Sequence, residues 1–490
     1  MKEKNLLFSK IGSGFANGCK LFCGRFVLSV VMLLSVVTVF TSCLSDDENE
    51  NGVSSNDMAI MSFSLGTLNR YLHTTTASGS DSVYKKTLVG SQYGFNIDQE
   101  KLLIYNTDSL PYGTDVKHVI CNIASKGSIL IKSMTSDSLK TYSNTDSIDF
   151  SQPRMIRVYA LDGSGYCTYT VKVNVHQQDG DKFNWSSVGT DSKLASLDGM
   201  KAISYKGYVY VAGNSGAQTK LYYSPISDGK TWTEYATTFP QDAYKNLICH
   251  QGRIFLRAET GDTYVIETEA DGSPSATVKT GTDDIKALVG SDGKYLYALN
   301  NSGELVRSDT EDGYNCSWTV ETLDSNAALL PSQDFSYTLA SLRTNADAAR
   351  LIVVGNRSEA GYPSDANAQI WGKIVEEGSS NSWMYYDGTA KPLPRLSGLT
   401  TFIYGDAIVA LGGKGIGTCT VTPLYMFYAS YDGGISWSGD SRIPIPSGLT
   451  GKDIPFALTV DQDNFIWMIC GNDGKIWRGR LNKLGWEIKE

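Results

Sequence analysis

The feature that most constrains this chain is a four-part unit of about 50 residues that recurs between residues 181 and 490. In the first copy, an apolar run at 201–205 is followed by a second at 208–213, a tyrosine-rich run at 220–224 and a short run around Trp232. A unit this small buries its apolar face only by stacking on a neighbour. Its length and order fit the four antiparallel strands of a propeller blade.

Five further copies follow the first. Their paired apolar runs lie at 247–249 with 253–256, 287–289 with 295–299, 337–339 with 351–355, 401–403 with 407–412, and 456–460 with 465–469. Glycine is abundant and proline scarce, 48 against 13 residues, which favours short strands joined by tight turns. The sequence therefore predicts an all-β fold in which residues 181–490 form a six-bladed β-propeller.

Tryptophan marks the outer-strand position of most copies. The residues concerned are Trp185, Trp232, Trp318, Trp383, Trp437 and Trp486. A ring at that position covers the gap between neighbouring blades, so we interpret these residues as structural rather than as sugar-stacking platforms. The second copy has no such tryptophan, so Trp185 and Trp486 together supply one more outer strand than the six inner pairs require. Trp185 therefore belongs either to a linker strand or to a strand that completes the last blade.

Residues 58–178 show a different pattern, in which short alternating runs at 129–131, 155–160 and 169–175 are separated by turn residues. This pattern predicts a small β-sandwich that precedes the propeller. The stretch from Asp149 to Val173 resembles the end of the immunoglobulin-like or cadherin-like modules that follow many Bacteroidota lipoprotein anchors. That resemblance implies that residues 58–178 act as a spacer.

Residues 1–42 have the layout of a signal peptide, with a basic stretch ending at Arg25 and an apolar run at 26–40. Phe40-Thr41-Ser42-Cys43 resembles the lipobox of bacterial lipoproteins, which implies that Cys43 is acylated and holds the protein on a lipid bilayer. Residues 43–57 form an acidic tether. Its start resembles the export signal of Bacteroidota lipoproteins, which implies an outer-membrane protein facing the cell exterior, with a periplasmic location as the alternative.

Charge and cysteine content narrow the possible partners. The net charge is -9, and because residues 1–42 carry five basic residues and one acid, the remainder is close to -13. Such an acidic chain is a poor nucleic-acid binder. The cysteines after Cys43 show no Cys-x-x-Cys spacing, so no zinc or redox site is predicted. We interpret Cys121 and Cys167 as free thiols, with a disulfide as the alternative.

Two turns in the propeller share a pattern. Ser430, Asp432, Gly434 and Trp437 resemble the Asp-box that joins the third and fourth strands in sialidase-like propellers, and Asp228, Gly229 and Trp232 form a looser copy. In such a turn the carboxylate accepts backbone N–H bonds and the glycine allows a left-handed conformation. We therefore predict a folding role for both turns.

The fourth copy carries long loops, and long loops on one rim of a ring are where binding residues concentrate. The candidate ligand-binding residues are Arg343, Arg357, Glu359 and Tyr362. No GxSxG, HExxH or phosphate-loop motif is present, and His250 is the one histidine within 181–490. We therefore expect no catalytic residue, metal or cofactor.

Taken as a whole, the chain is similar to a family of Bacteroidota lipoproteins that place an immunoglobulin-like module before a kelch-like propeller. The resemblance implies no particular activity. The leading hypothesis is a surface lipoprotein whose propeller binds a glycan or a protein without catalysis. The alternatives are a glycan-degrading hydrolase or lyase and a structural or adhesion component, because propellers host many functions.

Overall fold

The computed structural model describes residues 55–75, 80–259, 261–280, 284–314, 316–342, 344–388 and 390–486. These residues are built mainly from β-strands, as the composition predicted. No helix within these ranges is long and apolar enough to cross a membrane. The signal peptide, Cys43 and most of the acidic tether lie outside the described residues, so the predictions made for them are not addressed by the structure.

Contacts divide the chain into two compact units, and the strands of its N-terminal part contribute to both. In chain order these strands are β1 (Ile60–Leu65), β2 (Thr67–Thr75), β3 (Asp81–Val89), β4 (Phe95–Asp98), β5 (Leu103–Asn106), β6 (Cys121–Ser125), β7 (Ser128–Lys132), β8 (Leu139–Thr141), β9 (Arg154–Tyr159) and β10 (Tyr166–Lys172).

The first unit contains the described part of 1–64 together with 95–105 and 120–172. Its main sheet has the strand order β4-β5-β10-β9-β7-β8, and β1 pairs with β6. Strand β9 buries alternate residues, including Ile156 and Val158, which is the period-two pattern of a half-buried strand. The free thiols of Cys121 and Cys167 agree with the interpretation from sequence. Burial raises the pKa of the Cys121 thiol to about 12.

The second unit contains 65–94, 106–119 and the chain from 173 onward, so it includes two segments that lie within the predicted first domain. In the first of them, β2 and β3 form an antiparallel hairpin. The second segment runs along β2, where the Tyr71 N–H donates to Gly113 O at 2.8 Å and the Asp115 N–H donates to Asn69 O at 2.8 Å.

The remaining elements build the propeller. They are β11 (Phe183–Thr190), α1 (Ser192–Ala195), β12 (Met200–Tyr205), β13 (Tyr208–Ser215), β14 (Gln218–Pro225), β15 (Thr233–Glu234), β16 (Phe239–Pro240), β17 (Ile248–His250), β18 (Arg253–Arg257), β19 (Thr263–Thr268), β20 (Pro274–Thr280), β21 (Ile285–Ser291), β22 (Leu296–Asn300), β23 (Leu305–Ser308), β24 (Trp318–Val320), β25 (Gln333–Leu342), β26 (Asn345–Asn356), β27 (Gln369–Glu376), β28 (Met384–Tyr385), β29 (Thr400–Tyr404), β30 (Ala407–Leu411), β31 (Tyr428–Ser430), β32 (Ser438–Gly439), β33 (Phe456–Val460), β34 (Ile466–Cys470) and β35 (Lys475–Leu481). Short 3₁₀ helices occur at Gly90–Gln92, Ala243–Asn246, Ala327–Leu329 and Asn482–Gly485.

Within the described part of the chain, these strands form the six antiparallel blades that the repeat predicted. The blades are β12–β15 with β16 added on β14, β17–β20, β21–β24, β25–β28, β29–β32, and β33–β35 completed by β11. The innermost strands are β12, β17, β21, β25, β29 and β33. Each contacts the next, and β33 contacts β12, so the ring is closed around an axis.

Strand β11 settles how the ring closes. It pairs antiparallel with β35 and supplies the outermost strand of the last blade, so the two ends of the propeller segment share one sheet. Trp185 lies on β11, which is the second of the two alternatives left open by the sequence. The expected outer-strand position of Trp486 is wrong, because this residue follows the 3₁₀ helix after β35 and its ring stacks on His176 at 3.6 Å.

Buried apolar clusters join each blade to its neighbour. Val409 and Leu411 of the fifth blade pack in one cluster with Leu458 of the sixth, and Trp467 of the sixth packs in another with Val211 of the first. Except for Leu458 on innermost β33, these side chains come from the second strands of their blades, where both faces of a blade are covered. The continuous apolar runs in the sequence reflect this burial on both faces.

The turn between β31 and β32 is folded by its own side chains. Asp432 accepts hydrogen bonds from the backbone N–H groups of Ile435 and Ser436 at 3.1 and 2.9 Å and from the Ser436 hydroxyl at 2.6 Å. The Ser430 hydroxyl oxygen accepts from the Gly434 N–H at 2.8 Å, and Gly434 has a φ of 94°.

A tryptophan closes this turn and its looser copy in the same way. The Trp437 indole N–H donates to Gly434 O at 3.0 Å, and the Trp232 indole N–H donates to Gly229 O at 3.1 Å. Both rings are almost fully buried. In the looser copy, Asp228 accepts the Thr231 N–H at 2.8 Å. Each turn is thus held by hydrogen bonds within its own residues, and a folding role for both turns stays a prediction.

Candidate binding pocket on the propeller axis

The starts of four innermost strands surround a cavity of about 390 Å³ at one end of the propeller axis. This cavity, called here the axial pocket, is lined by Asp198, Gly199, Met200, Lys201, Tyr244, Lys245, Asp334, Phe335, Ser397, Gly398, Leu399, Thr400, Gly413, Asp453, Ile454, Pro455 and Phe456. Its volume lies in the range of small-molecule sites, and its lining mixes apolar walls with a few charged groups.

Lys201 is the central polar residue of the axial pocket. It is the second residue of β12, and its side chain reaches across to other blades. The Lys201 ammonium donates to Phe335 O of β25 at 3.0 Å and to Lys245 O at 3.3 Å. Both acceptors are neutral carbonyls, and no carboxylate of the described residues lies within ion-pair distance of this ammonium.

Burial lowers the pKa of the Lys201 ammonium from 10.5 to about 8, because a charge taken out of water loses hydration. The negative charge of Asp334 acts in the opposite direction and offsets part of the change. Lys201 is therefore a cation at neutral pH, and no carboxylate in the part of the chain that the structure describes forms an ion pair with it. Such a charge is available to an anion that enters the pocket.

Lys201 also lines a second, deeper cavity of about 190 Å³. That cavity is bounded by the middle of the innermost strands, including Ser204, Ser336, Thr401 and Leu458. Lys201 therefore belongs to the linings of both cavities. Its ammonium bonds to the carbonyls of Phe335 and Lys245, two other residues of the axial pocket, so it lies at the wall of that pocket.

Three aspartates contribute carboxylates to the axial pocket. Asp334 has a left-handed backbone conformation, with a φ of 55°, and accepts a hydrogen bond from the side-chain amide of buried Asn356 at 3.0 Å. That amide also donates to Leu396 O at 3.0 Å, which fixes its orientation. Asp453 is exposed and pairs with Lys414 at 2.8 Å. Asp198 is exposed at the mouth.

Aromatic and small residues shape the walls. Phe335 and Phe456 are buried, with 7% and 9% of their surface exposed, and both line the pocket. Burial raises the pKa of the Tyr244 hydroxyl to about 12, so this group stays protonated. A Cβ atom at Gly199 would lie 2.2 Å from the Tyr244 hydroxyl, so a side chain at that position would displace the tyrosine.

The rim residues proposed from sequence lie elsewhere, on the loop after β26. Arg343 falls outside the described residues. Arg357 forms a two-pronged ion pair with Asp365, at 2.9 and 2.7 Å, and its guanidinium lies 3.7 Å from the centre of the Tyr362 ring. The hydrogen bond from Asp365 raises the pKa of Arg357 further. Glu359 accepts a long hydrogen bond of 3.4 Å from the Gly417 N–H.

This loop is held from below by Arg395, which is fully buried and donates to Tyr362 O at 2.8 Å and Arg357 O at 2.7 Å. The structure therefore brings Arg357, Glu359 and Tyr362 together, but it partners the Arg357 charge within the loop. Tyr362 is 42% exposed and presents the open surface of this group. A ligand-binding role for these residues stays a prediction.

His250 is accounted for by the fold. It is buried, and its two ring nitrogens lie 2.8 Å from the Ser291 hydroxyl and 2.7 Å from Glu311 O. Burial lowers the pKa of this imidazole, which favours the neutral ring. Among the residues that the structure describes, no group of three or more His, Cys, Asp or Glu side chains is arranged to hold a metal ion.

The axial pocket was missed from sequence because its residues are scattered along the chain. Lys201 is a single lysine at the start of β12, Asp334 is the second residue of β25, and Asp453 lies three residues before β33. A polar residue near the start of the innermost strand in several repeats is the one local signal. It indicates a binding pocket only when the ring brings those strand starts together.

Comparisons with solved structures return proteins with limited similarity. YCF48 bound to D1 peptide is 13% identical, with 61% of this chain and 95% of that chain covered and a TM-score of 0.33. A mutant of AofleA from Arthrobotrys oligospora is 11% identical, with 61% and 86% covered and a TM-score of 0.37. Trypanosoma rangeli sialidase is 9% identical, with 61% and 60% covered and a TM-score of 0.36. No curated protein matches the chain.

Family models match both parts of the chain. The model described as the DUF6242 beta propeller domain matches residues 179–489. The model of the DUF6242 N-terminal domain matches residues 63–173. The first match alone spans more than half of the sequence, and its limits contain all six blades seen in the described residues. The chain therefore belongs to the DUF6242 family and carries both its N-terminal domain and its beta propeller domain.

Proposed function

We propose that this protein is a lipid-anchored outer-membrane lipoprotein, facing the cell exterior, whose propeller binds a glycan in the axial pocket without cleaving it. The observation that carries the binding role is the pocket itself, where charged groups from several blades meet between aromatic walls. Sugars are bound by this combination, because carboxylates and amines bond hydroxyl groups while aromatic and apolar walls cover the C–H faces of the ring.

The anchoring part of the proposal is supported by the N-terminal sequence. An apolar run at 26–40 is followed by Phe40-Thr41-Ser42-Cys43 and then by an acidic tether. Two or three acyl chains on Cys43 give firm attachment, since each buried methylene contributes about 0.8 kcal/mol. The N-terminal strands then act as an immunoglobulin-like spacer, and the two Asp-box turns stiffen the first and fifth blades.

The binding role is tested by a glycan array probed with the full-length lipoprotein in detergent micelles. The variant Ser397→Trp places an indole in the axial pocket, and Ser302→Trp places one in an exposed turn as the matched control. We expect specific hits that Ser397→Trp loses and Ser302→Trp keeps. Hits that survive Ser397→Trp would move the site away from the axial pocket. Silence across the array would favour a protein partner instead.

Two further measurements test the rest of the proposal. Bound glycans eluted from the array are examined by mass spectrometry, and cleaved products would replace the binding role with a glycan-degrading enzyme. Incorporation of a labelled fatty acid is compared between the native chain and Cys43→Ala, which removes the acylated thiol. Digestion of the protein by protease added to intact cells is expected, and full protection would indicate a periplasmic location.

A further inference from the structure

We propose that the ligand of the axial pocket carries a carboxylate, as acidic sugars do, and that this carboxylate pairs with the ammonium of Lys201. The inference rests on the proposed glycan binding and specifies its chemical class. Its basis is a cation in the pocket lining that has no carboxylate within ion-pair distance among the described residues.

The geometry around Lys201 supports this assignment. The ammonium has three N–H donors, and the structure directs it to two neutral carbonyls, Phe335 O at 3.0 Å and Lys245 O at 3.3 Å. Those two acceptors hold the nitrogen in place without neutralising it. The nearby Lys245 differs, because its own ammonium pairs with Asp242 at 3.1 Å and with Glu259 at 3.8 Å. Of the two lysines that line the pocket, Lys201 is thus the one whose ammonium has no ion-pair partner among the described residues.

A second feature accounts for the hydroxyl groups of an acidic sugar. Asp334 and Asp198 lie in the same lining as Lys201, and carboxylate oxygens accept hydrogen bonds from sugar hydroxyls. Asp334 is held by the Asn356 amide, so its position is fixed before a ligand arrives. The ligand therefore meets a cation for its carboxylate and anions for its hydroxyls, an arrangement that disfavours a neutral sugar in the same pose.

Charge also makes the expected binding sensitive to pH. The charged and titratable groups that share a cavity lining with Lys201 are Asp334 of β25, Tyr244 and Lys245 of the 3₁₀ helix, Asp198 before β12, Asp453 before β33, and Cys249 and Tyr337 of the second cavity. A carboxylate ligand favours the charged ammonium, and Lys201 is only partly protonated near pH 8. Binding near that pH should therefore take up a fraction of a proton, about half at the midpoint.

The test uses matched acidic and neutral oligosaccharides, oligogalacturonate and oligogalactose, titrated calorimetrically into the full-length lipoprotein. Titrations at pH 8 in buffers of different ionisation enthalpy measure the proton uptake. The variant Lys201→Met removes the ammonium. Lys193→Met is the control, since the Lys193 ammonium also donates to a backbone carbonyl, Trp232 O at 3.0 Å, but lies outside the pocket lining.

We expect the acidic oligosaccharide to bind at least about tenfold more tightly than the neutral one, with proton uptake, and Lys201→Met to abolish both the preference and the uptake. Lys193→Met should retain them. Equal binding of both sugars, or a preference that persists in Lys201→Met, would overturn the carboxylate assignment while leaving glycan binding intact. No binding of either sugar, together with a silent glycan array, would overturn the proposed function as well.

Discussion

Replacing Lys201 by methionine should stabilise the protein at neutral pH, although it removes two hydrogen bonds. The pKa of the ammonium falls from 10.5 to about 8 in the folded chain. Each pKa unit corresponds to about 1.4 kcal/mol, so keeping this charge in the pocket costs about 3 kcal/mol at pH 7. Leaving Phe335 O and Lys245 O without their donor costs about 1 kcal/mol each. The net expected gain is therefore about 1 kcal/mol.

The sign of this effect reverses at high pH. Between about pH 8 and 10.5 the unfolded chain binds the Lys201 proton more tightly than the folded chain does, so the stability of the native protein rises with pH. The methionine variant has no such proton. Its advantage over the native protein should shrink by about 2 kcal/mol between pH 7 and pH 9.5 and turn into a disadvantage.

The assay is guanidinium unfolding of both proteins at the two pH values, followed by tryptophan fluorescence. Only the difference between the proteins is interpreted, because the buried tyrosines titrate equally in both. A methionine variant that is less stable at pH 7, or a difference that does not change with pH, would refute the assignment of Lys201 as a partly buried cation without an ion-pair partner among the described residues.

Three further predictions concern the fold and the rim. Asp432→Ala removes the acceptor that folds the fifth-blade turn and should cost about 2 kcal/mol of unfolding free energy, with a smaller loss for Asp228→Ala. The loss caused by Asp432→Ala should vanish in acid, where Asp432 is protonated, and equal losses in the two variants would contradict the prediction. Phe183→Ala leaves a cavity beneath the closing strand and should cost about 3 kcal/mol in denaturant unfolding, whereas a loss below about 1 kcal/mol would mean that β11 does not secure the ring. Arg357→Ala should speed proteolysis of its loop without changing glycan binding; loss of binding would restore the rim as the ligand site.

The acid sensitivity of the fifth-blade turn follows from its hydrogen bonds. Burial of Asp432 opposes ionisation, but the bonds from Ser436 and Ser430 outweigh it and hold the pKa of this carboxyl below 3.8. A carboxyl with a depressed pKa stabilises the folded chain above its unfolded value. That contribution is lost as the pH falls through the folded pKa, so the two Asp432 proteins should converge in acid.

The comparison of the two tryptophans near the ends of the propeller shows where prediction from sequence stops. The repeat pattern assigns Trp185 and Trp486 to the same position, an outer strand. Of the two, Trp185 alone lies on an outer strand, because β11 at the start of the propeller sequence pairs with β35 at its end. Trp486 follows the last strand and packs on His176 instead. Pairing between distant strands decided the difference, and no local pattern encodes it.

The sequence by itself determined the elements that depend on near neighbours: the blade repeat, the all-β class and the turns built around Asp432 and Asp228. These follow from residue alternation and from hydrogen bonds between residues a few positions apart. Tertiary structure alone decided the ring closure, the internal pairing of Arg357 and the axial pocket. Lys201, Asp334 and Asp453 meet only because six innermost strands converge on one axis, and the pKa of Lys201 falls only because that convergence takes its ammonium partly out of water.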